Sequence, residues 1–211
     1  MYRRFGKRLL DVIFAALLLV ALSPLLLFLA LLVRVFMGSP VLFAQERPGL
    51  SEKVFRLHKF RSMTDRRNAS GELLPDKERL TGLGRFLRKT SLDELPELWN
   101  VLVGEMSFVG PRPLLPEYLP YYTERERLRH SVRPGITGLA QVSGRNLLPW
   151  DERLELDAQY AESVSLGGDF RILFRTVTVL FAHSEGVAED TAAAEGNLAK
   201  IRAQKRAGHT E

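Results

Sequence analysis

Residues 12–33 read VIFAALLLVALSPLLLFLALLV, and this apolar stretch decides how the rest of the chain is interpreted. Its 22 residues carry no charge and would form roughly 33 Å of α-helix, enough for a membrane segment. Only Ser23 and Pro24 interrupt it. Proline lacks a backbone N–H and crowds the carbonyl four residues earlier, which a serine hydroxyl can satisfy. The sequence therefore predicts two helical halves that bend at Ser23 and Pro24.

Charges on both sides of the stretch indicate its orientation. Positive charge favours the cytoplasmic face of a membrane, and a single crossing cannot place two basic flanks there. We therefore expect residues 1–36 to form a re-entrant anchor, with a straight membrane-spanning helix, kinked by its proline, as the alternative. A secretory signal peptide fits poorly, because the run is too long and its candidate cleavage site is followed by Pro24. The basic flanking residues are Arg3, Arg4, Lys7, Arg8, Arg34, Arg47, Lys53, Arg56, Lys59 and Arg61.

Length and composition limit what else the chain contains. Its 211 residues suit one folded domain with an anchor. Thirty Lys and Arg against 25 Asp and Glu give a net charge of +5, which favours anionic partners such as lipid headgroups and nucleotides. The chain has no cysteine, which excludes disulfides, thiolate metal sites and cysteine nucleophiles.

The remaining pattern predicts a mainly α-helical fold with a small β-hairpin. The hairpin strands are predicted at Val41–Phe43 and Val54–Leu57, on either side of the Pro48-Gly49 turn signal. We expect a compact catalytic domain over residues 37–183 and a weakly ordered, charged tail over residues 184–211 with one helical stretch at most. Apolar residues at three- and four-residue spacing predict helices at Lys77–Lys89, Leu95–Leu102, Trp150–Ala161 and Phe170–Phe181.

The last predicted helix has an amphipathic pattern. Leu173, Val177, Leu180 and Phe181 fall on one stripe. Such a helix can lie on a membrane surface, or it can pack on the core of its own domain, and the pattern does not distinguish the two.

The stretch TSLDELPELW, residues 90–99, places two adjacent carboxylates near a helix start. Ser91 and Glu94 match a capping box, while Pro96 favours the first turn and would move the start of the helix toward Asp93. Capping is the simpler interpretation. A carboxylate in a first turn is also kept ionised by the helix dipole, and can then act as a nucleophile or hold a cation.

Basic residues form a second group of candidates. Arg112 lies between Pro111 and Pro113, which fix the backbone on both sides, as expected where a guanidinium must be aimed. Arginine forks match phosphate oxygens, and a divalent ion can screen a carboxylate from a pyrophosphate, so the combination suggests phosphoryl chemistry with Mg²⁺. The candidate basic residues are Lys59, Arg61, Arg88, Arg112, Arg133 and Arg145.

Several motifs together resemble the monotopic bacterial phosphoglycosyl transferases, the initiating sugar-phosphate transferases of glycoconjugate and exopolysaccharide pathways. The likeness extends to Phe181 and places the chain among the minimal, single-domain members. His58 departs from it, because a tyrosine is common at that position. The motifs are the basic N-terminus with its Ser-Pro break, Lys59–Met63, Arg88–Leu98, Gly110–Pro113, Arg133–Gly138 and Gln141–Arg145.

This resemblance implies a re-entrant membrane helix and an active site at the cytoplasmic face of the bacterial inner membrane. Asp93, with Mg²⁺, would attack the sugar-linked phosphate of a UDP-sugar, and Glu94 would assist. Polyprenyl phosphate would then take the phosphosugar from Asp93. Membrane lipids are expected partners and nucleic acid is not, while the oligomeric state stays open. Substrate binding would involve Lys59, Arg88, Arg112, Arg133 and Arg145.

Two other functions are compatible with part of the pattern. A non-enzymatic peripheral membrane scaffold would use the anchor and the basic surface alone. A membrane phosphatase acting on a lipid-linked phosphate would also need arginines, a carboxylate and Mg²⁺.

Overall fold

A computed structural model describes residues 2–144, 148–182 and 198–207. As predicted, the protein is mainly helical, and two small sheets occur within these residues. The strands are β1 Leu42–Pro48, β2 Val54–Phe60, β3 Ser107–Val109 and β4 Gly135–Thr137. The helices are α1 Lys7–Ala21, α2 Ser23–Met37, α3 Asp76–Arg79, α4 Gly82–Lys89, α5 Glu97–Val103, α6 Glu124–Arg127, α7 Leu139–Ser143, α8 Trp150–Glu162, α9 Leu166–Ala182 and α10 Leu198–Ala207.

The apolar stretch bends where the sequence predicts. Helices α1 and α2 meet at 63°, with Leu22 between them and Pro24 in the first turn of α2. The Ser23 hydroxyl donates a hydrogen bond to the Val20 carbonyl at 2.8 Å, so the acceptor that the proline would leave free is satisfied. Along the described ranges, no one helix has the length and hydropathy of a membrane span, and α1 and α2 reach them only as a bent pair.

Both helices of the pair share apolar cores with the rest of the protein. Ala15 of α1 is fully buried in a cluster with Phe55 of β2. Val33 of α2 is fully buried in a second cluster, with Leu87 of α4. Burial of this kind stabilises the association by about 25 cal/mol per Å² of apolar surface. The segment that the sequence sets apart as residues 1–36 is therefore packed on the domain that follows it.

Polar contacts fix the orientation of α1. The buried Asp11 accepts a hydrogen bond from the Ser107 hydroxyl of β3 at 3.1 Å. The Arg8 guanidinium donates to the carbonyls of Val101 and Leu102 at 2.5 and 2.8 Å. These carbonyls belong to the last turn of α5, where backbone carbonyls lack N–H donors within the helix and a nearby cation is favourable. Helix α1 is thus joined to α5 and β3 by defined hydrogen bonds.

The predicted hairpin is present, and its strands are longer than predicted. Strands β1 and β2 pair in an antiparallel register in which charged residues continue both strands. Glu46 lies opposite Arg56, and Arg47 lies opposite Phe55. The predicted strands were too short because only apolar residues were counted. Cross-strand pairs of opposite charge also stabilise a sheet.

The helix predicted over Lys77–Lys89 is two helices, and the continuous prediction was wrong. Leu80 is extended and forms a β-bridge with Met63. The Thr81 hydroxyl then accepts a hydrogen bond from the Gly84 N–H at 2.9 Å and caps α4. A local cap and one long-range bridge therefore override the helical spacing.

Helix α9 packs on the core of its own domain, which is one of the two arrangements that its pattern allows. Ile172 is buried in the core, and Leu173 packs against the same cluster. Phe170, Phe174 and Val177 are exposed. One side of the helix therefore packs on the protein while another presents apolar side chains outward.

The segment predicted as a tail contributes a helix. Residues 183–197 lie outside the described residues, and α10 begins at Leu198, which is buried beside Leu154 of α8. Arg202 of α10 pairs with Glu126 at 2.5 Å and with Asp151 at 2.7 Å.

The contact between α4 and the Ser62 segment leaves no room for a side chain at residue 84. A Cβ added there would lie 1.8 Å from the Ser62 carbonyl oxygen, whereas a Cβ at Gly82 meets nothing within 4 Å. We expect Gly84→Ala to cost about 1–3 kcal/mol of stability and Gly82→Ala to cost nothing. Thermal unfolding in detergent measures both, and equal midpoints for the two variants would contradict this packing.

Candidate active site

Asp93 and Glu94 lie in a short 3₁₀ turn, Leu92–Glu94, between α4 and α5. The residue before it, Ser91, has φ 55° in the left-handed region and makes no side-chain capping bond. The predicted capping box is therefore wrong. The box does not form because Ser91 turns the chain and the Glu94 carboxylate bonds to distant residues instead. A non-glycine residue in this conformation is uncommon and typical of functional segments.

The Glu94 carboxylate holds two of the predicted cations. One oxygen, Oε1, lies 2.7 Å from Lys59 Nζ and 2.8 Å from Arg112 Nη2. Burial opposes ionisation of Glu94, but the charges of Arg112 and Lys59 outweigh burial and lower its pKa. Lys59 comes from β2 and Arg112 from the segment after β3, so three separate parts of the chain meet here.

Asp93 differs from its neighbour because its carboxylate has no fixed partner. The residue is 8% exposed, and it forms no hydrogen bond or ion pair with the residues that the structure describes. Burial, followed by the charge of Glu94, raises the pKa of Asp93 to about 6, against the lowering effect of nearby cations. A position in the first turn of a helix predicts that the helix dipole favours ionisation, but Asp93 precedes α5 and burial dominates its pKa. The Asp93 carboxylate is therefore available to bond to a ligand or a metal ion.

Glu97 completes the acidic group and was not found from the sequence. It is 2% exposed, and its Oε1 lies 3.2 Å from Lys59 Nζ. Burial and the charge of Glu94 raise the pKa of Glu97. Because one lysine serves two carboxylates, Glu97 takes up a proton more readily than Glu94. The three-residue spacing from Glu94 was the only available signal, and it does not reveal burial.

The position of Arg112 is fixed by its backbone. Its carbonyl accepts a hydrogen bond from Arg129 Nη2 at 2.7 Å. Arg129 is buried and pairs with the buried Asp157 at 2.8 Å, and it also donates to the Tyr122 hydroxyl at 3.0 Å. The Arg112 side chain is 46% exposed, so its remaining N–H groups can meet a ligand. The two flanking prolines and this buried ion pair together aim the guanidinium.

The other predicted arginines differ in their placement. Arg88 Nε donates to the Ser62 hydroxyl at 2.9 Å, and its charge lowers the pKa of Asp93, so it belongs to the same site. Arg133 Nε donates to the Gly104 carbonyl at the end of α5 at 2.8 Å, and this contact joins it to the helix end. Arg145 lies outside the described residues.

The site fits Mg²⁺ only together with a substrate. Over the ranges that the structure covers, no three His, Asp or Glu side chains are grouped to hold an ion. Protein sites for Mg²⁺ commonly supply one or two carboxylates and leave the rest to water and substrate phosphates. Asp93 can provide one such ligand, while Glu94 is already bonded to Lys59 and Arg112.

Comparison with known proteins decides the family. The model for the family described as bacterial sugar transferase matches residues 2–183. The chain belongs to the bacterial sugar transferases. This confirms the resemblance found from the motifs, and it confirms that the protein is an enzyme of the transferase class.

The bacterial sugar transferase has relatives of two lengths. It is 52% identical over 181 residues to the sugar transferase EpsL of Bacillus subtilis, covering 86% of this chain and 89% of that protein. It is 42% identical over 181 residues to a UDP-glucose:undecaprenyl-phosphate glucose-1-phosphate transferase of Klebsiella pneumoniae, covering 81% of this chain and 39% of the relative. The protein of the same name from Escherichia coli is 41% identical over 184 residues, with 82% and 40% coverage. The chain thus spans about two fifths of these longer relatives.

The Lys59 ammonium group pairs with both Glu94 and Glu97, so its removal should lower the stability of the protein. Among the described residues, Lys59→Met leaves Glu97 without an ion-pair partner and Glu94 with Arg112 alone, and breaking a buried pair costs about 3–5 kcal/mol. Without Lys59 the folded-state pKa of Glu97 rises further, so the deficit should grow as pH rises and shrink as pH falls and the carboxylate is protonated. Unfolding midpoints at pH 5 and pH 8 measure this.

Lys53→Met is the matched control, because Lys53 is an exposed lysine in the same hairpin. It should leave both midpoints unchanged. A Lys59→Met deficit of equal size at the two pH values would contradict the shared-cation arrangement.

Proposed function

We propose that this sugar transferase moves a phosphosugar from a UDP-sugar to polyprenyl phosphate, giving polyprenyl-diphosphate-sugar and UMP. The observation that carries the proposal is the buried Asp93 carboxylate, unbonded among the described residues and adjacent to a glutamate that fixes two cations. The names of the Klebsiella and Escherichia relatives, which specify UDP-glucose and undecaprenyl phosphate, support the donor and the acceptor. A relative in Salmonella typhimurium is named for galactose. The reaction would be a first membrane step in glycoconjugate or exopolysaccharide synthesis.

The first step forms a covalent intermediate on Asp93. A carboxylate oxygen attacks the phosphorus that carries the sugar, and the bond from that phosphorus to the bridging oxygen breaks. UMP leaves with the bridging oxygen, and the phosphosugar is held as an acyl phosphate. Asp93 must be ionised to attack, and its raised pKa makes it a better nucleophile than a fully solvated carboxylate once it has lost its proton.

The second step returns the carboxylate. A phosphate oxygen of polyprenyl phosphate attacks the same phosphorus, the bond to Asp93 breaks, and the diphosphate-linked sugar is released. Neither step requires a proton to be removed, because both nucleophiles are anions. Glu94 therefore serves to hold Lys59 and Arg112 in place, where their charges stabilise the oxygens of the transferring phosphoryl group.

We propose Mg²⁺ as the cofactor, and Asp93 is the residue that would hold it. When bound, it would neutralise the negative charge of the diphosphate. Arg88, which lies near enough to Asp93 to affect its pKa, supplies a further positive charge.

We also propose that the bent helix pair enters the inner membrane from the cytoplasmic face and returns to it. The two outer ends of the pair pack on one body, through Lys7, which pairs with Asp169 of α9 at 2.6 Å, and through the buried Met37. Near the bend, Val20 and Leu27 are 76% and 72% exposed, as suits contact with lipid. The exposed aromatic side chains of α9 would lie at the same interface.

Product analysis tests the reaction. Purified protein given a panel of UDP-sugars and Mg²⁺ without acceptor should release UMP and gain the mass of a phosphosugar. Asp93→Asn should abolish both, because an amide is a poor nucleophile at phosphorus. Asp76→Asn is the control, since Asp76 has an exposed side chain paired only with Arg79 among the described residues.

Each alternative function gives a different product. A phosphatase would release inorganic phosphate from a lipid-linked phosphate with no UMP and no adduct. A membrane scaffold would turn over none of the UDP-sugars. Full turnover by Asp93→Asn would overturn the covalent step.

Cysteine labelling in oriented membrane vesicles tests the proposed topology. The chain contains no cysteine, so Arg3→Cys, Ser70→Cys and Val20→Cys each introduce a single thiol. We expect residues 3 and 70, both exposed, to react with an impermeant reagent from the same face, and residue 20 to be protected until detergent is added. Reaction of residue 3 only from the face opposite residue 70 would show a spanning helix instead.

A further inference from the structure

Arg47 of β1 is a partly buried guanidinium that the proposed mechanism does not use. It has five N–H donors, and one of them bonds, from Nη2 to Gln45 Oε1 at 2.7 Å. Its Nε is buried and has no acceptor. Within the described part of the chain, no carboxylate lies within ion-pair distance of Arg47. A charge in this position is costly to the folded protein unless an anion offsets it.

Other arginines of the protein show how such groups are usually satisfied. The buried Arg129 pairs with Asp157 at 2.8 Å. The buried Arg61 pairs with Asp65 at 2.6 Å and donates to the carbonyls of Ser39 and Met63. Arg47 therefore differs from Arg61 and Arg129 in lacking an anionic partner supplied by the described chain.

The neighbours of Arg47 place it at the edge of the active site. Arg112 lies close enough for the two guanidinium charges to repel, and burial together with this repulsion lowers the pKa of Arg47 to about 10. Tyr118, Glu97 and Tyr122 act in the opposite direction and raise the pKa of Arg47. Glu97 forms an ion pair with Lys59, and the tyrosines are neutral at ordinary pH. Because the charge of Arg112 is paired with Glu94, Arg47 is the guanidinium that an added negative charge would neutralise.

The hairpin register explains how Arg47 reaches this position. Residues directly opposite each other in an antiparallel pair share a face of the sheet. Arg47 lies opposite Phe55, and Lys59 lies opposite Phe43. Because positions two apart also share a face, Arg47 and Lys59 point to the same side of the hairpin. Lys59 there contacts Glu94.

The segment after Arg47 also adjoins Arg112. Pro48 and Arg112 line a common small cavity, together with Pro111, Pro113 and Arg129. Strand β1 and the Pro-Arg-Pro segment therefore form two walls of one recess. Arg47 directly precedes Pro48 in β1, and Arg112 belongs to the other wall.

We propose that Arg47 and Arg112 together bind a phosphate oxyanion, at a position beside the phosphorus that Asp93 attacks. This inference rests on the proposed function and assigns to that site a second phosphate position. Two substrates carry suitable oxygens, namely the UMP phosphate of the donor and the phosphate of the lipid acceptor. Guanidinium forks bind either in the same way.

Binding of inorganic pyrophosphate, measured without metal in EDTA, tests the site independently of any reaction. Pyrophosphate should raise the unfolding midpoint of the wild-type protein, and Arg47→Gln should lose most of that rise. Arg47→Lys should keep part of it, because a point charge replaces the fork. Arg56→Gln is the matched control, since Arg56 is an exposed arginine on the other face of the same hairpin, and it should behave as wild type.

The unfolding midpoint without ligand separates binding from a structural role. Because Arg47 has no anionic partner in the described protein, Arg47→Gln should unfold at the wild-type temperature or above it. A lower midpoint with an unchanged pyrophosphate effect would overturn the proposal and make Arg47 structural.

Kinetics distinguish the two sources of the phosphate. If Arg47 holds the donor, Arg47→Gln should raise the UDP-sugar concentration for half-maximal UMP release without acceptor by about 10- to 100-fold, as for one lost charged hydrogen bond. If Arg47 holds the acceptor, that half-reaction should be unchanged, and the KM for polyprenyl phosphate should rise instead. Wild-type values in both arms would overturn the proposal.

Failure of this inference can be told from failure of the proposed function. If wild-type protein releases no UMP from any UDP-sugar, the proposed function is wrong, and the pyrophosphate measurement still decides whether Arg47 binds phosphate. If UMP release and the Asp93 adduct are normal and pyrophosphate affects wild type and Arg47→Gln equally, only the second phosphate position is wrong.

Discussion

The two ion pairs at Glu94 Oε1 are the contacts on which the active site depends. One carboxylate oxygen receives Lys59 Nζ and Arg112 Nη2, and so joins the β-hairpin, the turn before α5 and the Pro-Arg-Pro segment. Three acidic side chains lie here with little exposure to water, and burial, followed by their mutual repulsion, would otherwise favour protonation. The cations keep Glu94 ionised, and Asp93 is left unbonded among the described residues. The proposed nucleophile thus lies next to a glutamate whose bonds to two cations are already made.

Sequence reasoning succeeded where the signal is local or very strong. The bend at Ser23 and Pro24 follows from a missing N–H and a nearby hydroxyl, and the structure shows the resulting hydrogen bond to the Val20 carbonyl. The Pro48-Gly49 turn located the hairpin. The flanking prolines of Arg112 indicated an aimed guanidinium, and its contact with Glu94 agrees.

The errors and omissions arise from contacts between distant residues. Helical spacing could not show that Leu80 would pair with Met63 and divide a helix. A capping pattern could not show that Glu94 is bonded to Lys59, 35 positions away. Glu97 was missed because its burial is set by tertiary packing. Such partners become visible only once the chain is folded.

The hydrogen bonds from Arg8 to α5 have a mechanical consequence. They connect the first turn of α1 to the far end of the helix that begins at Glu97, four residues beyond Asp93. In the membrane arrangement that we propose, hydrophobic mismatch between the bent pair and lipids of different chain length would tilt α1, and these hydrogen bonds would carry the tilt to the proposed catalytic carboxylates. The acyl composition of the host membrane would then affect turnover.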